Sequence, residues 1–102
     1  MRIRGIWYNA VMVDFKKFER IHKAVANRRR LAILAHLKKE KEVSVGKIAT
    51  HIKLSFKSTS RHLSVLLSAD LVERNQRGVE MFYRLSAAMH PIVLETLRHI
   101  SS

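Results

Sequence analysis

The apolar residues of this chain change their period partway along, and that change limits the folds open to it. Up to Ala69–Asp70 they recur at helical spacing, from Leu71 to Leu85 they alternate, and near the C-terminus the helical spacing returns. Only three glycines and one proline are present, so element boundaries have to be read from caps and pattern changes.

Residues 14–26, DFKKFERIHKAVA, place Phe15, Phe18, Ile21, His22 and Val25 at helical spacing, with Asp14 as a cap. Asn27 interrupts the pattern and is a good N-cap for RRRLAILAHLKKE. There Leu31, Ile33, Leu34 and Leu37 form the apolar stripe, and Lys38, Lys39 and Lys41 suit a C-terminal end. Ser44 caps a short helix with Val45, Ile48, Ala49 and Ile52 inward. Lys53–Leu54 makes a tight turn and Ser55 caps the next helix. Two short helices so joined, the second polar on its outer face, form a helix-turn-helix. LVER and VEMFYRL then flank the turn NQRG, where Asn75 and Gly78 supply turn chemistry, giving a β-hairpin with Arg74 and Arg77 near its tip. A last helix, started by Ser86 or His90, is expected from about residue 91, where Pro91 suits a first turn, to residue 100. Its Ile92, Val93, Leu97 and Ile100 make it apolar on more than one side, so it calls for a partner. Residues 1–13 read as an N-terminal arm that packs on a neighbour, and residues 14–102 as a single domain. The expected fold is mainly α with a small β-hairpin wing: a winged helix-turn-helix of five helices plus hairpin.

Charge points to the partner. Twenty Lys and Arg against eight Asp and Glu give a formal net charge of +12. Such a field attracts polyanions, nucleic acid first, with anionic membrane surface and acidic proteins after it. No run reaches the roughly 18 apolar residues of a membrane-spanning helix. The absence of cysteine excludes disulfides and thiolate metal sites and suits a reducing, cytoplasmic setting.

The helix SFKSTSRHLSVLLS, residues 55–68, carries the chemistry. Thr59, Leu63, Leu66 and Leu67 share one face; Lys57, Arg61, Ser64 and Ser68 lie opposite; Ser58 and Ser60 flank the outer face. Long cations there can meet phosphates or guanine edges, and short hydroxyls allow close approach to a groove. A merely solvated polar helix is the plainer alternative. Phe56 either touches a thymine methyl or covers the helix start. His62, at the edge of the buried face, reads as a hydrogen-bonded core histidine. No carboxylate is placed to orient it and no glycine-rich turn exposes a nucleophile, so catalysis is not expected. Arg28 and Arg29 are candidates for phosphate, as are Arg74 and Arg77 on the wing. Glu95 and His99 share a helix face, but two ligands do not make a metal site.

With VANRRRLAIL and then VSVGKIATHIKLSFKSTSRHLSVLLSADLVERNQRGVEMFYRL, residues 15–100 resemble the ArsR-type winged-helix transcriptional repressors. The motifs are the N/D-x-x-R-x-x-I-L segment from Asn27 to Leu34, the S-x-x-S-x-H-L-type helix from Ser55 to Leu63, and the A-x-L-V hinge before a basic wing. The resemblance implies a homodimer through the first and last helices. It implies recognition helices in successive major grooves, wings near the minor groove or backbone, and repression relieved by an inducer, often a metal ion. Arg30 matches the family arginine. Neither family metal site carries over: EVSVGKI holds no cysteine, Ala88 stands where an early Asp belongs beside His90, and the later ligands would fall at Ser101 and beyond. Phe56 and Thr59 also depart from the family pattern, polar and apolar respectively. The expected partners are double-stranded DNA and a second copy of the chain, with no membrane, no cofactor and no identifiable small-molecule inducer. Rival readings are a non-specific nucleic-acid coat, a protein-binding winged helix, and a metal sensor with unfamiliar ligands.

Overall fold

The computed structural model of the protein describes residues 4–100, with side chains from Phe15 onward. Its elements are α1 (Arg4–Val25), α2 (Arg28–Glu40), β1 (Glu42–Ser44), α3 (Val45–Ile52), α4 (Phe56–Ser68), β2 (Val72–Arg77), β3 (Glu80–Leu85) and α5 (Pro91–Arg98). This is the expected winged helix-turn-helix, five helices and a hairpin, with one further strand.

Local chemistry explains most of the boundaries. The Asn27 side chain accepts from the Arg29 and Arg30 amides at 2.9 and 3.1 Å, opening α2. Ser44 does the same for Lys47 at α3, and Ser55 for Ser58 at α4. His90, not Ser86, caps α5, its Nδ1 accepting from the Ile92 amide at 3.1 Å, and Pro91 fills the first helical position. Lys53, at φ 59°, closes α3: its amide donates to the Thr50 carbonyl and the Leu54 amide to the Ala49 carbonyl. Asp70, also at φ 59°, closes α4 with the same pair of bonds from Asp70 to Leu67 and from Leu71 to Leu66. Both are Schellman ends carrying a side chain where glycine is usual.

Three expectations are corrected. Asp14 lies inside α1, because IWYNAVMV has no proline to stop the helix, which begins at Arg4. Of the arm expected over residues 1–13, residues 1–3 lie outside the described residues, as does Ser101. The hairpin turns at Gly78–Val79 rather than across NQRG, since Asn75 and Gln76 remain paired with Phe82 and Met81. Gly78, at φ 61° in the first loop position, supplies the conformation that a two-residue hairpin needs. Leu31 is only half-buried; the stripe of α2 is Ile33, Leu34 and Leu37. The added strand β1 pairs with β3, Val43 opposite Tyr83, so the wing is a sheet ordered β1-β3-β2.

The core gathers Ile21 and Ala24 from α1, Ile33, Leu34 and Leu37 from α2, Ile48 from α3, Leu63 and Leu66 from α4, and Val93 and Leu97 from α5. Each large apolar side chain so buried contributes roughly 1.5–3 kcal/mol. Thr59 is fully buried among them, and its hydroxyl donates to the Ser55 carbonyl at 2.8 Å, which satisfies the polar atom.

Because Lys53 holds a left-handed conformation that disfavours a Cβ, Lys53→Gly should raise unfolding stability by about 1 kcal/mol, and Lys53→Val should lower it. Urea denaturation measures both; a destabilised glycine variant would contradict the assignment of strain to this corner.

Candidate nucleic-acid interface

The rotation of α4 about its axis is set by what it buries. Thr59, Leu63 and Leu66 are fully buried. The opposite side then presents Lys57, Arg61, Ser64 and Ser68, all exposed, with Ser58 and Ser60 half-buried at its margins. These are the positions that the helical spacing assigned. Phe56 is 63% exposed, so it does not cover the helix start; it stands in solvent beside Lys57. Val65 is 40% exposed on the same outer side, one turn after Arg61, and the sequence reading passed over it. Its signal was available: an apolar residue on a helix face otherwise made of serines and cations.

The wing is less open than its sequence suggested. Arg77 is ion-paired with Glu42 of β1 and lies over the Phe82 ring, 4.5 Å from its centroid. Glu42 was missed because it lies far from Arg77 in sequence; the sheet order β1-β3-β2 brings them together. Arg84 pairs with Glu73 at 3.0 Å, and Glu73 also accepts from the Ala87 amide at 3.0 Å. That amide bond first, then Arg84, holds the Glu73 carboxyl below the usual glutamate range. Arg74 is exposed on β2, opposite the buried Tyr83. At the tip, Val79 is 99% exposed. Arg28 is exposed at the first position of α2.

Histidines occupy structural places. His62 is half-buried, and its Nδ1 lies 3.3 Å from the Arg30 guanidinium. Burial first, then Arg30 and Arg29, hold it below its ordinary value. His36 of α2 and His51 of α3 stack, ring centroids 3.8 Å apart and planes within 14°. Burial and then His51 lower the His36 value, against a smaller opposing pull from Glu40. Glu95 pairs with Arg98 at 2.6 Å and with His99 at 2.9 Å. Among the described residues, no group of three or more His, Cys, Asp or Glu gathers that could hold a metal. Among them too, no helix is long and apolar enough to cross a membrane.

Two faces are apolar and open. Ile92, Leu94 and Ile100 near and on α5 are 40%, 46% and 42% exposed, and Phe15 of α1 is 62% exposed.

Residues 25–75 match a family described as a helix-turn-helix domain. The transcriptional activator HlyU of Vibrio cholerae serotype O1 is 36% identical over 78 residues, which cover 76% of this chain and 71% of that protein. The structure of HlyU from Vibrio cholerae has a TM-score of 0.73 at 33% identity, covering 85% of this chain and 94% of the other. NolR from Sinorhizobium fredii gives a TM-score of 0.76 at 31% identity, covering 89% and 90%. A homodimeric winged helix-turn-helix DNA-binding domain from Mycobacterium bovis, a possible ArsR-family transcriptional regulator, gives 0.71 at 32% identity, covering 89% and 79%.

The lowered His36 value makes stability depend on pH. With the folded His36 value below 6.5, the unfolded chain binds more protons than the folded one in the interval between them. The His36 contribution is complete above 6.5, erodes as pH falls below it, and is gone below the folded midpoint. Melting temperature should therefore drop on going from about pH 7.5 to about pH 5.5, and His51→Gln should drop less than wild type. Parallel curves for the two would remove the pair as the source.

Proposed function

The chain belongs to the ArsR-type winged helix-turn-helix regulators of transcription, and from that premise we propose that it is a dimeric, cytoplasmic, sequence-specific reader of double-stranded DNA. One observation carries this reading: the outer side of α4, held outward by three fully buried residues, is a surface of cations and hydroxyls interrupted only by Phe56 and Val65. A helix so faced fits a major groove.

In this proposal Lys57, Ser58, Ser60, Arg61 and Ser64 meet base edges and flanking phosphates, and the exposed Phe56 and Val65 meet thymine methyls. Arg74 and Arg28 meet phosphate. Arg77 joins them only by leaving Glu42, so its contribution is smaller than its place near the wing tip suggests. The exposed apolar residues of α5 and Phe15 of α1 supply the face on which a second copy packs, as the homodimeric Mycobacterium domain supports. The dimer occupies a pseudo-palindrome with half-sites about one helical turn apart. Repression follows from that occupancy by exclusion. The Vibrio relative is named an activator, and occupancy is common to both outcomes; where the operator lies in a promoter decides between them. No catalytic step, metal or small-molecule inducer enters this account.

The +12 charge also favours a second reading, a non-specific nucleic-acid coat. Selection from a random duplex pool separates the two. Recovery of a palindrome supports specific reading, and an unenriched pool supports the coat.

Two variants test the division of labour. Arg61→Ala should cost about 1–3 kcal/mol of discrimination between selected and scrambled duplexes, while Arg77→Ala should change both affinities little and equally. Equal loss of selectivity in the two would overturn the assignment. Glu42→Gln should release Arg77, tightening binding to all duplexes and steepening the logarithmic salt dependence by about one. An unchanged salt slope in that variant would show that Arg77 already contacts phosphate in the wild type.

A further inference from the structure

Arg30 makes three bonds that no other side chain here makes together. From the first turn of α2 it folds back: Nε donates to the Ala24 carbonyl at 2.6 Å and Nη2 to the Lys23 carbonyl at 3.0 Å. Both carbonyls belong to the last turn of α1, where helix geometry leaves acceptors without intrahelical partners. The third nitrogen, Nη1, reaches across to Nδ1 of His62 on α4, at 3.3 Å. A single planar fork thus joins the end of α1, the start of α2 and the middle of α4. Lysine, a point donor on a flexible stem, cannot span all three.

The bond to His62 specifies a protonation state. Arginine has only donors, so Nδ1 must present its lone pair, and the ring is neutral with its hydrogen on Nε2. Protonation of Nδ1 ends that bond and sets an imidazolium against a guanidinium. The charged groups around the ring act in one direction. Arg30 and Arg29 face it from α2. On α4 its neighbour in sequence is Arg61. α1 approaches through the Lys23 and Ala24 carbonyls that Arg30 holds, while the Lys23 ammonium pairs with Glu19.

We propose that Arg30 is a positioning residue for DNA reading: it fixes the recognition helix against the end of α1, and a proton on His62 releases α4 from it. The inference rests on the dimeric DNA-reading function above, in which α1 belongs to the contact between subunits. Whatever fixes α4 relative to α1 also fixes the separation of the two recognition helices. Arg30 therefore sets tolerance for half-site spacing, and it touches no base.

The test uses the full chain, the selected duplex, and a derivative with one base pair inserted between half-sites. At about pH 7.5 Arg30→Lys should keep its general affinity for DNA but lose about tenfold in preference for the native spacing, roughly one pK unit's worth of free energy. Between about pH 7.5 and about pH 5.5 wild type should lose that preference, while His62→Asn, which keeps an acceptor near the Nδ1 position but cannot be protonated, should retain it. Both proteins share every other pH-dependent contribution to DNA affinity, so the comparison of wild type with His62→Asn isolates the clamp. Identical pH profiles for these two, or an unaltered spacing preference in Arg30→Lys, would overturn the proposal. A second readout does not need DNA: NMR titration of His62 in the free protein. Arg30→Met should move its midpoint upward, toward the ordinary value. If that shift appears yet no duplex is ever selected, it is the DNA-reading function that fails; if a duplex is selected and the midpoint stays put, it is the clamp.

Discussion

Everything that faces outward here depends on one buried contact, the packing of Thr59, Leu63 and Leu66 of α4 against the helices beneath it. A helix has a continuous choice of rotation about its axis, and only the side that loses water removes that freedom. Thr59 sharpens the choice. Its hydroxyl must find an acceptor once buried, and it finds the Ser55 carbonyl one turn back. The same residue therefore fixes rotation through its methyl group while its hydroxyl shares the Ser55 carbonyl with its own amide. Lys57, Arg61 and Ser64 then point where they do because nothing else is left for that side of the helix.

The charge of the molecule is distributed by a similar logic. Lys and Arg exceed Asp and Glu by twelve, yet Glu42 and Glu73 hold Arg77 and Arg84 within the wing sheet. Exposed ion pairs of this kind contribute little to stability, about 0–1 kcal/mol. Their effect is on direction: they restrain cations on the wing, whereas Lys57 and Arg61 on α4 stand in solvent.

What could be read from the sequence was mostly what is local. Asn27, Ser44 and Ser55 announce helix starts because a cap acts on amides two or three residues away, within the same stretch of chain. The faces of α4 were legible because its period is regular and its two sides differ in chemistry. Other features depend on distance along the chain. β1 is three residues long and owes its existence to β3, about forty residues later, so no window around it shows a strand. Asn75 and Gly78 are both good turn residues, and only strand pairing decides that the hairpin turns at Gly78. The Arg77–Glu42 pair follows from that pairing and was invisible without it. A hydrogen-bonded place for His62 was anticipated, but it is half-buried rather than in the core, and its partner was not foreseen, since Arg30 lies thirty-two positions away.

β1 ends on Ser44, whose backbone pairs with Phe82 in the wing sheet and whose side chain caps α3. No linker separates the sheet from the helix-turn-helix; a single residue belongs to both. Such a joint has no hinge, so the wing cannot swing while α3 and α4 stay still. In the proposed DNA-reading dimer, wing and helix-turn-helix would then move together, and adjustment to a duplex would fall to the α1–α4 clamp, to the contact between subunits or to the duplex itself. On the proposed function, a reader so built would measure DNA for its spacing and its willingness to bend as well as for its bases.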